Sequence, residues 1–187
     1  MNIAIFGVPG AGKGTQCKLL SERLDLVHIS TGDLIRNEIA ERSETGIKAE
    51  KIINSGKLLD DGTVFEMFSK KLHASQNRKG VLFDGFPRTL KQAEMLDELL
   101  KSMGTELHCF IDIVLSEEES VERILKRAAI EGRADDNPET VRSRFQEYNL
   151  KTAPISGHYS KMGISVSIDG SGSVEEVYGR IVKALNI

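Results

Sequence analysis

The chain has 187 residues, a formal net charge of −3 and 40% hydrophobic residues. That length suits one domain with a buried core, and the small net charge lacks the basic excess that nucleic-acid binding needs. The two cysteines, Cys17 and Cys109, lie far apart in apolar-periodic segments and are expected to be core thiols. They cannot build a zinc site by themselves, and His28, His73, His108 and His158 show no ligand spacing. The first apolar run is too short for a signal peptide or a membrane span. A soluble, cytoplasmic protein with neither membrane nor nucleic-acid partners is the expectation.

Asn2–Phe6 reads as a short buried strand, and Gly7-Val8-Pro9-Gly10-Ala11-Gly12-Lys13-Gly14-Thr15 follows at once, opening a helix-compatible segment. Strand, glycine-rich turn and helix are the layout of a phosphate-binding loop. Its glycines keep Cβ atoms away so that backbone N–H groups turn toward phosphate oxygens. Lys13 supplies a mobile charge for the outer phosphates. The usual hydroxyl directly after the Lys is missing: Gly14 stands there and Thr15 comes one later.

Val27–Ile29 is a second strand. Ser30-Thr31-Gly32-Asp33 then opens three predicted helices, Thr31–Arg42, Gly46–Ser55 and Asp61–Ala74, which exceed what a simple crossover requires. They read as an inserted helical subdomain able to move. Ser30 and Asp33 also fit a capping box, and Arg36 fits a solvated helix face, so their roles stay open at this point. Val81–Phe83 is a third strand, ending on Asp84. A carboxylate there suits magnesium in a phosphate-loop protein, although Asp before Gly is also a common turn dipeptide. Gly85-Phe86-Pro87-Arg88-Thr89 fixes a tight backbone at the C-terminal sheet edge, where ligands bind in open α/β sheets. It aims Arg88 at the crevice that holds Lys13.

His108–Leu115 is a fourth strand, followed by a helix near Glu117–Ala129 on which Arg123 and Arg127 share one face. A charged break, Ala129 to Asp136, contains Arg133. Asn137-Pro138 restarts a helix, cap then first position, with Arg144 at the margin of its apolar face. Ile164–Ile168 is the last strand and Val174–Leu185 the last helix. Strands alternating with helices predict an α/β fold, a five-stranded parallel sheet with helices on both faces. Arg36, Arg88, Arg127, Arg133 and Arg144 add to Lys13 to make about six positive charges, matching about six negative charges on a nucleoside triphosphate plus a monophosphate. Phosphoryl transfer needs two phosphates held in line and water kept out, and little acid–base chemistry.

Four motifs, Gly7 to Gln16, Ser30 to Arg36, Asp84 to Thr89 with Gln92, and Gly132 to Asp136 followed by Thr140-Val141-Arg142-Ser143-Arg144, resemble the adenylate kinase family in order and across nearly the whole chain. The resemblance implies the P-loop NTPase three-layer fold as a single domain. Its core would span 1–29, 60–126 and 137–187, with a nucleoside-monophosphate-binding insert at 30–59 and a short lid at 127–136. It implies phosphoryl transfer from magnesium-bound ATP to AMP, giving two ADP. Gly14 is normal for that family. Gly10, Ala11, Gly12, Lys13, Gly14 and Thr15 would cradle ATP phosphates. Arg123 would lie over the ATP adenine and Gly172, in the turn Asp169 to Gly172, would meet the base. Thr31, Arg36, Lys57, Leu58, Leu59, Gly85, Phe86, Pro87, Arg88 and Gln92 would bind AMP, Gln92 at the adenine edge. Lys13 and Arg88 would contact the transferring group, with Arg127, Arg133 and Arg144 clamping phosphates. Asp84 would face the magnesium shell through water, and Asp33 would help order it.

Only Ala128 to Gly132 separate Arg127 from Arg133, so the long zinc-binding lid of some family members is absent and a short-lid, zinc-free monomer is implied. A UMP/CMP kinase shares much of this pattern, but Thr31 and the pair Thr89 and Gln92 are adenylate-like. A non-catalytic nucleotide-binding module would lack Lys13, Arg88 or a lid arginine, and a hydrolytic switch would need a water-orienting Gln.

Overall fold

The computed structural model describes residues 1–75, 79–131 and 136–187, with the backbone alone at Glu131. Five strands, β1 (Asn2–Gly7), β2 (Val27–Ser30), β3 (Val81–Asp84), β4 (Cys109–Val114) and β5 (Ser165–Asp169), form one sheet. Its order is β2-β3-β1-β4-β5 and every pairing is parallel. All six residues of central β1 are buried, which is why it reads as a continuous apolar run and not as an alternating one. Ala4 and Phe6 pack on one face with Phe68, Phe83, Phe110 and Tyr159. Ile3 and Ile5 pack on the other with Cys17, Leu20, Ile111 and Ile181.

The helices are α1 (Lys13–Leu24), α2 (Thr31–Ala40), α3 (Glu44–Asn54), α4 (Asp61–His73), α5 (Leu90–Ser102), α6 (Glu117–Glu131), α7 (Pro138–Glu147), α8 (Pro154–Lys161) and α9 (Val174–Leu185). Predicted strands and helices lie within a few residues of the observed ones. Helix α2 stops short of Arg42 because Arg42 takes a left-handed φ of 53°. Two helices, α5 and α8, were not among the predicted elements. The chain passes from α7 through a π-helical turn at Tyr148–Thr152, and Pro154 sits in the first turn of α8, where its missing N–H costs nothing. Cys17 is a core thiol as expected, whereas Cys109 is only partly buried. No helix among the described residues is long and apolar enough to cross a membrane.

Side-chain caps mark most helix starts. Ser30, Ser43, Asp60, Thr89, Ser116, Asn137 and Ser173 each accept the N–H three residues on. The cap expected at Ser30 is therefore present. Helix α1 differs: Gly12 occupies its N-cap with no side-chain bond. The first-turn N–H groups of α1 are thus left for a ligand.

Candidate active site

The loop between β1 and α1 lies at the C-terminal edge of the sheet. Gly10 has φ +86°, and a Cβ there would stand 2.5 Å from the Ser120 carbonyl oxygen, so α6 packs directly on the loop backbone. Lys13 Nζ donates to the carbonyls of Gly7 and Val8, both at 2.8 Å. Burial lowers the Lys13 ammonium to a pKa of about 8; Asp84 opposes that shift, and the nearby Arg88 and Arg144 reinforce it. A cation held this way is poised to gain from any phosphate that arrives.

Above the loop opens a cavity of about 1030 Å³. Pockets for a single small-molecule ligand span about 300–1,000 Å³, so this cavity lies at the top of that range. Gly10 to Thr15, Arg36, Lys57, Leu58, Asp84, Gly85, Pro87, Arg88, Arg123, Arg127, Arg144 and Gly172 all line it. Thr31, Leu59 and Gln92 instead line a small side recess with Ile35, Ile53, Leu58, Val64 and Arg88. That recess is apolar apart from Thr31, Gln92 and Arg88, which is the chemistry a flat base with polar edges requires. Its apolar walls were invisible in the sequence, where Ile35, Ile53 and Val64 look like ordinary helix-face residues.

Within the recess the polar groups already hold one another. Gln92 Oε1 accepts the Arg88 N–H at 2.8 Å, and Gln92 Nε2 donates to Asp61 Oδ1 at 2.9 Å. Thr89 Oγ1 donates to the same Asp61 oxygen at 2.9 Å. Thr31 Oγ1 donates to the Gly85 carbonyl at 2.7 Å, and Arg88 Nε reaches that carbonyl too, also at 2.7 Å. Thr31 and Gln92 are thus wired to the backbone that carries Arg88. Of the run Gly85 to Arg88, Phe86 departs: its ring is buried and stacks on Phe68 at 4.1 Å, so the side chain serves the core.

Across the cavity, Asp136 ties two arginines together. Arg127 donates through Nε and Nη2 at 2.8 and 2.7 Å, and Arg144 through Nη1 at 2.9 Å. The Asp136 side chain is fully buried while both arginines keep about a quarter of theirs exposed, so the guanidinium groups still face the cavity. Arg123 bonds Glu119 at 2.6 Å and the carbonyls of Gly170 and Gly172 at 3.0 and 3.1 Å, pinning the turn after β5. Arg36 pairs with Asp33 at 2.5 Å, and that arginine holds the Asp33 carboxyl below its ordinary range against the opposing effect of burial. Arg133 lies outside the described residues. Asp61 and Asp136 were missed at the level of sequence because their partners are a turn or a helix away. Gln16 was quoted there only inside the loop motif; its Nε2 donates to Val174, while its buried Oε1 has no partner among the described residues.

A phosphate loop with an open helix N-terminus, facing arginines from four other segments, is equipment for stabilising charge on transferring phosphates, not for acid–base chemistry. Fold and site together define a phosphoryl-transfer enzyme of the P-loop class. A sequence profile described as adenylate kinase matches residues 5–164. The chain is 42% identical to an adenylate kinase of Parabacteroides distasonis over 186 residues, covering 100% of this chain and 98% of the relative. It is 44% identical over 185 residues to adenylate kinases of Xanthomonas euvesicatoria and Thermus thermophilus, covering 99% of this chain and 99% and 97% of theirs. The chain belongs to the adenylate kinase family, and these relatives lend no support to the pyrimidine-kinase alternative.

Proposed function

We propose that the chain moves the γ-phosphoryl group of ATP reversibly onto AMP, giving two ADP, with the residues that surround the large cavity as its machinery. The observation that carries this reading is the joint lining of that cavity by the phosphate loop, Lys13, Arg88, Arg127 and Arg144, with a small, mostly apolar recess beside Arg88.

ATP phosphates lie along the uncapped N-terminus of α1, over Gly10 to Thr15. Its adenine lies beside Arg123 and Gly172. AMP places its base in the recess between Thr31 and Gln92, against Leu58 and Leu59, and its phosphate toward Arg36 and Arg88. The backbone of Lys57 and of Gly85 to Pro87 forms the wall between. The acceptor phosphate oxygen is the nucleophile, so no side chain has to remove a proton. Lys13 and Arg88 stabilise charge on the transferring group, and Arg127, Arg133 and Arg144 clamp the chain of phosphates.

The donor set near the phosphates fits magnesium held mostly by phosphate and water. Asp84 presents a carboxylate to the cavity, and a Cβ on Gly14 would still be 3.5 Å from its Oδ2, so room remains beside it. When bound, magnesium supplies charge neutralisation at the phosphates. No zinc is required. The insert 30–59 and the lid 127–136 close over the two nucleotides and keep out water, which would otherwise compete as acceptor. The protein acts as a cytoplasmic monomer. Incubation with ADP and Mg²⁺ tests the whole reading: ATP and AMP are expected in equal amounts, and inorganic phosphate without ATP would make the protein a hydrolase.

A further inference from the structure

Behind the phosphate loop, three side chains that no sequence spacing connects come together. Cys17 projects from the second turn of α1, His28 from edge strand β2 and Asp84 from the end of β3. Their donor atoms, one thiol sulfur, one ring nitrogen and one carboxylate oxygen, all lie within 4.8 Å of one another. His28 Nε2 and Asp84 Oδ2 are already 3.2 Å apart. Neighbouring ligands on a tetrahedral zinc ion bound at 2.0–2.3 Å sit about 3.3–3.8 Å from each other. The pair is therefore at bonding distance for a shared ion, and the sulfur needs to move inward by about 1 Å. Cys17 is fully buried, but His28 and Asp84 both line the large cavity, so an ion reaches the sulfur from the nucleotide side.

The donor set is selective. Magnesium prefers oxygen ligands and a water-rich shell, whereas sulfur with imidazole favours zinc or cadmium. Nothing in phosphoryl transfer uses the thiol or the imidazole. We propose that Cys17, His28 and Asp84 form an inhibitory site for a thiophilic divalent cation, zinc or cadmium, that competes with catalysis by taking Asp84 away from the nucleotide phosphates. The sulfur–metal bond forms as the thiol loses its proton to solvent, with no change of oxidation state. Water or a phosphate oxygen completes the fourth position. The inhibitory consequence rests on the placement of Asp84 beside the phosphates; the binding itself does not.

Cadmium titrated into the nucleotide-free protein tests binding directly, through the ultraviolet charge-transfer band of a thiolate–cadmium bond. One equivalent should produce the band. It should vanish in Cys17→Ala and persist in Cys109→Ala, which removes the other thiol. His28→Gln should weaken cadmium binding by about 10-fold or more, and it keeps the test alive if Cys17→Ala does not fold. Zinc should inhibit ADP conversion by the wild type, and half-inhibition in Cys17→Ala should need about 10-fold more zinc or beyond, with zinc-free turnover unchanged. A band that survives in Cys17→Ala, a cadmium affinity untouched by His28→Gln, or equal zinc sensitivity in Cys17→Ala and wild type would each overturn the site. Loss of magnesium-dependent turnover in zinc-free wild type would instead strike the proposed reaction, leaving the cadmium result to stand alone.

Discussion

Lys13 is held by two loop carbonyls and surrounded by Arg88, Arg144 and Asp84, so its charge is costly until phosphates arrive. Replacing it with Met deletes charge at the transferring group and should lower turnover by about 10²–10³-fold, the range for removing one stabilising donor. A steady-state assay near wild-type rates would remove Lys13 from that role. The same residue predicts a pH signature. Its folded pKa of about 8 lies below the ordinary 10.5, so the unfolded chain binds the proton more tightly. The penalty on the fold is fully present below pH 8 and is relieved as pH rises from 8 to 10.5. At about 1.4 kcal/mol per pH unit it amounts to at most ~3.5 kcal/mol. Urea unfolding of wild type and Lys13→Met should show a variant advantage at pH 7 that shrinks by pH 10; an advantage independent of pH would place the ammonium in water. At Thr31 the hydroxyl bonds the Gly85 carbonyl, so its influence on the base runs through the backbone beside Arg88. Thr31→Ala should raise KM for AMP and lower the AMP preference over CMP and UMP by about 10-fold, as loss of one ordered hydrogen bond allows. Unchanged relative rates would show that this position does not shape the recess.

Helices α6 and α7 are joined at the cavity by one buried carboxylate. Arg127 comes from the last turns of α6 and Arg144 from the third turn of α7, and Asp136 lies between the helices in sequence and binds both. A smaller apolar contact of Ile124, Val141 and Phe145 backs this polar joint. Helix α7 also holds the end of α3: Thr140 Oγ1 donates to the Asn54 carbonyl at 3.0 Å. Gly56, at φ +75°, lets the backbone pass so close that a Cβ would sit 2.6 Å from the Thr140 carbonyl oxygen. Removing the carboxylate leaves two partly buried guanidinium groups facing each other. Asp136→Ala should therefore destabilise the protein by about 3–5 kcal/mol, the cost of breaking one side of a buried ion pair. It should also depress kcat, because Arg127 and Arg144 lose their common anchor. Denaturant midpoints and initial rates check both effects, and a variant with normal stability would mean that water replaces the carboxylate.

At the scale of the whole chain, local signals were enough for the β1 loop, the strand ends and the helices that carry arginines, because strand period, glycine turns and caps are encoded within a few residues. What depends on packing was not legible. The sheet order β2-β3-β1-β4-β5 brings Cys17, His28 and Asp84 within reach of one another although the chain separates them widely. Likewise Asp61 reaches Gln92 only because α4 and α5 pack together, and Phe86 leaves the site only because Phe68 waits in the core. That core also predicts how metal enters. Aromatic and aliphatic side chains fill both faces of the sheet. The fold then needs no ion, while the reaction needs charge neutralised at the phosphates. An ion that binds chiefly through nucleotide phosphates adds nothing to the stability of the nucleotide-free protein. A strong chelator should accordingly abolish ADP conversion, fully restored by excess Mg²⁺, while leaving the melting temperature of the nucleotide-free protein unchanged. Calorimetric melts and a coupled assay on the same chelated sample separate the two: a lowered melting temperature would reveal a structural metal, and turnover that survives chelation would remove magnesium from the reaction.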